Sequence, residues 1–236
     1  MGMLYLVRHG QASAGTHDYD RLSPLGQRQS QLLGQWWTSQ KFAPDLVYHG
    51  SLRRQRDTAR LALEHLGSAL QPDVHEGLNE YTHRIIEKHF GAAPEVGTES
   101  ESGTESGTEA DNHESLTFED YISVMQRWRD HSAHPDLPEI EPWADFANRG
   151  WETMRSLHQQ QGDKQHHVFV TSGGVIATVL AAVLGLDFSH TVDAIWRIRN
   201  SSVTTLNFDG KTARLVDFNT VPHLQLQNDP SLITLI

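Results

Sequence analysis

Met3-Leu4-Tyr5-Leu6-Val7-Arg8-His9-Gly10 decides how the chain is read. Five apolar residues in a row, followed within three positions by a glycine, predict a short strand over 3–7 buried on both faces. Strands of that kind belong to parallel sheets with helices on either side. The same reading recurs downstream, with strands predicted at 45–49 and 167–171. Between them lie helical patterns. Ser23-Pro24 reads as an N-cap followed by proline at the first helical position, and Leu25, Leu32, Leu33 and Trp36 continue at helical spacing to about Trp37. A helix over 53–66 buries Ala59, Ala62, Leu63 and Leu66. Another follows Leu116 with Tyr121, Met125 and Trp128, and a fourth runs over 143–160 with Phe146, Trp151, Met154 and Leu157. Gly173-Gly174 reads as a turn into a helix over 175–184. Strands at 202–208 and 213–218 flank Asp209-Gly210, a two-residue hairpin signal. The expectation is a three-layer α/β fold, with a mostly parallel central sheet flanked by helices and a C-terminal antiparallel hairpin.

Length and composition bound the rest. A chain of 236 residues buries a core without staples. It contains no cysteine, which excludes disulfide scaffolds, Cys-ligated zinc, iron–sulfur clusters and thiol nucleophiles. The net charge is −11, a poor footing for nucleic acid or anionic membrane. Much of that charge sits in one stretch, 91–115, which carries seven acidic residues, no Lys or Arg, and repeats Gly-Thr-Glu-Ser. Such composition cannot build a core. The chain is therefore expected to be a single domain over 1–236 with a low-complexity acidic insertion at 91–115. The longest mostly apolar run, 175–186, is too short to span a bilayer. No basic region precedes a long apolar stretch at the start, as a signal peptide would require. These features point to a soluble, cytoplasmic protein without nucleic-acid or membrane partners.

Chemistry concentrates where predicted strands end, the place where open α/β sheets bind ligands. The first strand runs into Arg8-His9-Gly10. The second leads to Ser51-Leu52-Arg53-Arg54 at a helix start. The third runs into Thr171-Ser172-Gly173-Gly174, also opening a helix. Arginine forks match phosphate geometry, helix N-termini hold anions through their N–H groups, and neutral imidazole is a competent nucleophile. Together they make a phosphoryl-transfer site more economically than any other chemistry. The 15 histidines contain no His-Glu-x-x-His, and His166 and His167 point to opposite faces of a strand, so no metal site is read.

The same segments carry a resemblance. Leu6-Val7-Arg8-His9-Gly10, Leu22-Ser23-Pro24-Leu25-Gly26-Gln27-Arg28-Gln29, Ser51-Leu52-Arg53-Arg54-Gln55-Arg56-Asp57-Thr58-Ala59 and Gly77-Leu78-Asn79-Glu80 stand in the order seen in the histidine phosphatase superfamily, the phosphoglycerate-mutase-like group. Asn200-Ser201-Ser202-Val203-Thr204 and Asn219-Thr220-Val221-Pro222-His223-Leu224 also look familial. The resemblance implies a metal-independent phosphate monoester hydrolase that needs no cofactor. His9 would be phosphorylated, Glu80 would be the proton donor, and Arg8 and Arg54 would hold phosphate. Counting back from Thr58-Ala59 gives this role to Arg54, leaving Arg53 on the helix surface. The substrate would be a small phosphorylated molecule or a phosphoprotein. One departure stands out: the family's second catalytic histidine falls on Ser172, so Ser172 and the N–H groups of Gly173 and Gly174 would complete the phosphate cradle. His49 or His83 are alternative sources of the missing imidazole. Mutase-like phosphotransfer, a weakly active phosphoester-binding protein, and an interaction protein working through the acidic stretch remain open alternatives.

Overall fold

The computed structural model describes residues 2–13, 19–82, 86, 88, 90–91, 117–131, 140–161 and 165–235. The acidic insertion lies outside these apart from Gly91, and so does His83. The described residues fall into two compact units, Met1–Tyr81 with Ala144–Ile236, and Thr82–Trp143.

The first unit is built on β1 (Gly2–Arg8), α1 (Pro24–Ser39), β2 (Leu46–His49), α2 (Arg53–Leu66) and β3 (Asp73–Val74). Beyond the second unit the chain continues with α4 (Trp143–Gln160), β4 (His166–Thr171), α5 (Gly173–Leu184), α6 (Phe188–Arg197), β5 (Val203–Phe208), β6 (Ala213–Thr220) and α7 (Pro222–Gln225). The second unit carries α3 (Phe118–His131), where Thr117 and Asp120 cap the first turn reciprocally. Trp128 lies on the buried face of α3, donates its indole N–H to the Glu141 carbonyl, and meets Trp143 edge to face.

Six strands form one sheet in the order β3-β2-β4-β1-β5-β6. β1, β2, β3 and β4 run parallel, while β5 pairs antiparallel with both β1 and β6. The expected mostly parallel sheet with a C-terminal antiparallel hairpin is what forms. One face is a cluster of Val7, Val47, Val168 and Val170 against Leu33, Trp37, Ala59, Ala62 and Leu63 of α1 and α2. On the other face α4 lays Trp151 and His158 against Phe208, and His158 against His167. Strand alternation thus sends His166 towards Tyr5 and Phe42, and His167 to the opposite side. Among the described residues, no helix is long and apolar enough to cross a membrane.

Most element positions follow the sequence reading. Ser23 caps α1, its hydroxyl accepting from the Gly26 N–H. Gly173 and Gly174 depart from it: they are the first two residues of α5 rather than a turn before it. The helix starts early because Ser172 is extended and a carboxylate from elsewhere takes the Gly174 N–H. α6 lies in a stretch for which the sequence pattern predicts no helix, and Asp187 caps it by accepting from the His190 N–H.

The C-terminal segments brace β1 from beyond the sheet. Ser201 adopts φ +60° and its N–H donates to the His9 carbonyl. Its hydroxyl lies 2.9 Å from Nε2 of the buried His223. Burial lowers the His223 pKa from 6.5 to about 3. The folded chain therefore refuses a proton that the unfolded chain accepts below pH 6.5, so this stability is complete above pH 6.5 and drains away towards pH 3. Between pH 7 and pH 5 the loss from this one group is about 2 kcal/mol. His223→Gln, which keeps a donor for Ser201, is expected to show a correspondingly smaller fall in its urea midpoint over that range. An unchanged pH dependence would mean that His223 titrates normally in the fold.

Candidate active site

The carboxyl ends of β1 and β4 are neighbours, with Arg8 in register with Thr171, and β2 flanks β4 with His49 opposite Val170. This adjacency brings the chemically loaded strand ends together.

His9 is buried and fixed by its backbone, its N–H donating to the Thr171 carbonyl and its own carbonyl accepting from Ser201. Its ring is oriented at both nitrogens. Nδ1 lies 2.7 Å from the Gly10 carbonyl, which can only accept, so Nδ1 carries the hydrogen. Nε2 lies 3.1 Å from Nε of Arg54, which can only donate, so Nε2 presents its lone pair. Burial holds the His9 pKa well below the ordinary imidazole value, and the Arg54 and Arg8 charges push it the same way. The ring is neutral at neutral pH.

Arg54 comes from the first turn of α2 and is 7% exposed, whereas Arg53 beside it is exposed. Of the two, Arg54 is therefore the arginine turned inward and Arg53 the one on the helix surface. Thr58 joins the two elements, accepting the Gly10 N–H and donating to the Arg54 carbonyl. Arg54 also pairs with Asp20 at 2.7 Å, and the other Asp20 oxygen accepts the Arg53 N–H at the start of α2. Asp20 thus steadies both the arginine and its helix, a role the sequence reading did not assign.

Arg8 donates Nη1 to the carbonyls of Ile198 and Leu235. Its guanidinium lies beside the start of α5, where a Cβ built on Gly173 would stand 3.7 Å from the Arg8 Nε.

Glu80 follows a short 3-10 turn, Glu76–Leu78. Asn79 ties this segment to Ser51 by two hydrogen bonds, and the Leu78 carbonyl accepts from Thr171 and Gln55. So held, the Glu80 carboxylate accepts the Gly174 N–H at 2.9 Å and caps α5. Burial raises the Glu80 pKa above the usual carboxylate value, against the opposing pull of the Gly174 N–H, Arg54, the Tyr81 N–H and Arg8.

Ser172 is 1% exposed and precedes α5 without capping it. Its hydroxyl oxygen accepts from Nε2 of Gln55 at 2.9 Å. The Gly174 N–H, expected to face a phosphate, is instead taken by Glu80. His49 is buried at the end of β2 with Nδ1 on the Gly50 carbonyl.

Arg8, His9, Arg54, Glu80, Ser172 and Gly173 thus gather at the sheet's carboxyl edge, and both arginines act electrostatically on His9 and on Glu80. Against known families, residues 4–95 and 104–221 match the model of histidine phosphatase superfamily branch 1. The chain belongs to that superfamily. No curated protein matches it. Solved structures of other histidine phosphatase-like chains share the fold. A phosphoserine phosphatase from Entamoeba histolytica, in complex with phosphoserine, is 19% identical and aligns with 95% of this chain and 100% of its own at a TM-score of 0.62. A mycobacterial glucosyl-3-phosphoglycerate phosphatase, in complex with inorganic phosphate, is 22% identical over 94% of this chain and 99% of its own, with a TM-score of 0.60. The Bacillus stearothermophilus protein YhfR is 20% identical over 94% and 99%, with a TM-score of 0.63. Within the superfamily, the placement of Ser172 and its Gln55 partner is the feature of this chain that its sequence left unexplained.

Proposed function

We propose that this histidine phosphatase hydrolyses phosphate monoesters through a phosphohistidine on His9. The observation that carries the reading is the ring of His9, with Nδ1–H anchored on Gly10 and the Nε2 lone pair facing Arg54. When a phosphate group arrives, the Arg54 N–H passes from Nε2 to a phosphoryl oxygen, and Arg8 neutralises another. Nε2 attacks phosphorus in line with the ester oxygen. The P–O bond breaks as Glu80 gives its proton to the departing alkoxide. The ring, now bonded to phosphorus at Nε2 and still protonated at Nδ1, carries a positive charge that the Gly10 carbonyl faces. A water then gives a proton to the Glu80 carboxylate and attacks phosphorus. The N–P bond breaks, inorganic phosphate leaves, and neutral His9 and protonated Glu80 return.

The arginines supply the positive charge that this chemistry needs, so no metal enters the scheme. The relatives named above include phosphatases, one in complex with phosphoserine, which favours small phosphorylated metabolites as the substrate class. The test is phosphate release from phosphoserine, 3-phosphoglycerate and p-nitrophenyl phosphate in the presence of EDTA. Turnover of at least one is expected, with no 2-phosphoglycerate formed from 3-phosphoglycerate. Isomerisation in place of hydrolysis would identify a mutase, and hydrolysis abolished by EDTA would overturn the mechanism.

A further inference from the structure

Ser172 stands where the resemblance places the family's second imidazole, and the structure puts Gln55 directly behind that serine. Gln55 is fully buried in the first turn of α2. Its amide orientation is fixed by its neighbours. The Leu78 carbonyl, 3.0 Å from Nε2, can only accept, so the atom facing it is the nitrogen. The second hydrogen of that nitrogen goes to the Ser172 oxygen at 2.9 Å. A hydroxyl that accepts from Gln55 has its own proton to give elsewhere, and Ser172 does not spend its side chain on capping α5 because Glu80 takes the Gly174 N–H.

This arrangement has a cost. Gln55 Oε1 is buried without a partner among the described residues. It lies where a Cβ on Gly50 would come within 2.0 Å, so glycine at 50 makes room for the amide. An apolar side chain at 55 would remove the orphaned oxygen and leave the Leu78 carbonyl satisfied by Thr171. What only the amide supplies is an N–H on the Ser172 oxygen.

We propose that Gln55 is a positioning residue that turns the Ser172 hydroxyl proton towards the transferring phosphoryl group, the pair standing in for the absent imidazole. This rests on the phosphohistidine reading above. A neutral donor aimed in advance works where charge develops, so it acts on the chemical step more than on binding.

The test is a double-mutant cycle. Ser172→Ala, Gln55→Met and the double variant are compared with wild type for the rate of alkali-quenched phosphohistidine formation from p-nitrophenyl phosphate. Removing the donor at Ser172 is expected to slow labelling about 10²-fold. Gln55→Met is expected to slow it about tenfold with KM changed less than about threefold, and to add nothing on the Ser172→Ala background. Gln55→Glu, nearly isosteric and still polar, repeats the cycle should Met not fold. Its carboxylate accepts the Ser172 proton, so its loss is expected to be smaller once Ser172 is gone. Losses that multiply, or a Gln55→Met variant as fast as wild type, overturn the pairing while leaving the phosphohistidine intact. A wild-type chain that forms no phosphohistidine overturns both readings together.

Discussion

His9→Ala is expected to lose both phosphate release and the alkali-stable, acid-labile label that substrate leaves on the protein. The rate of phosphate release is expected to fall by about 10⁴-fold or more, the scale seen when a nucleophile is removed. Three observations set that scale. The ring is buried, it is held in one tautomer by Gly10 and Arg54, and burial together with the two arginines keeps it neutral. Alanine removes the attacking atom and leaves the arginines in place, since Arg54 keeps Asp20 and Arg8 keeps the Ile198 and Leu235 carbonyls. The variant is therefore expected to bind inorganic phosphate while failing to take up label. Hydrolysis at the wild-type rate in His9→Ala, with no label on either protein, would assign the reaction to direct attack by water.

The fold was legible because its signals are local. A buried run ending in Arg8-His9, a serine cap before Pro24, and Asp209-Gly210 between two strands each need only their neighbours in sequence. The resemblance, counted back from Thr58-Ala59, singles out Arg54, and a helix, which turns about 100° per residue, buries that arginine while exposing Arg53. The wiring of the site was not legible. Gln55 meets Ser172 across 117 residues, Arg8 meets Leu235 across 227, and Asp20 meets Arg54 across 34. Gln55 and Thr58 lie within the arginine-bearing segment 51–59, yet nothing in its spacing says which hydroxyl or carbonyl their hydrogens will reach. The start of α5 at Gly173-Gly174 is hidden from the sequence for the same reason. Whether a Gly pair bends or begins a helix depends on what satisfies its N–H groups, and the answer, Glu80, lies 94 residues away.

Glu80→Gln is expected to separate the two halves of the reaction. An alkyl phosphate leaves as a poor alkoxide and needs the Glu80 proton, so its hydrolysis is expected to slow about 10²–10⁴-fold. Nitrophenolate leaves unaided, so phosphorylation of His9 by p-nitrophenyl phosphate is expected to slow by less than about tenfold. The second half then fails, because glutamine cannot take a proton from the attacking water. The signature is a burst of one nitrophenol per site followed by slow turnover, with label accumulating on His9. The pH profile reports the same residue. Burial raises the Glu80 pKa, so the carboxyl stays protonated further up the pH scale than a surface glutamate, and wild-type hydrolysis of an alkyl ester is lost as pH rises through it. The limb at low pH belongs to His9, whose lowered pKa keeps the lone pair available until the solution is distinctly acidic. The profile is thus expected to be a bell, with His9 setting the limb at low pH and Glu80 the limb at high pH, and with the descending limb absent in Glu80→Gln. Equal losses on both esters with no burst would mean that Glu80 serves only to cap α5, and that the leaving oxygen takes its proton from another group.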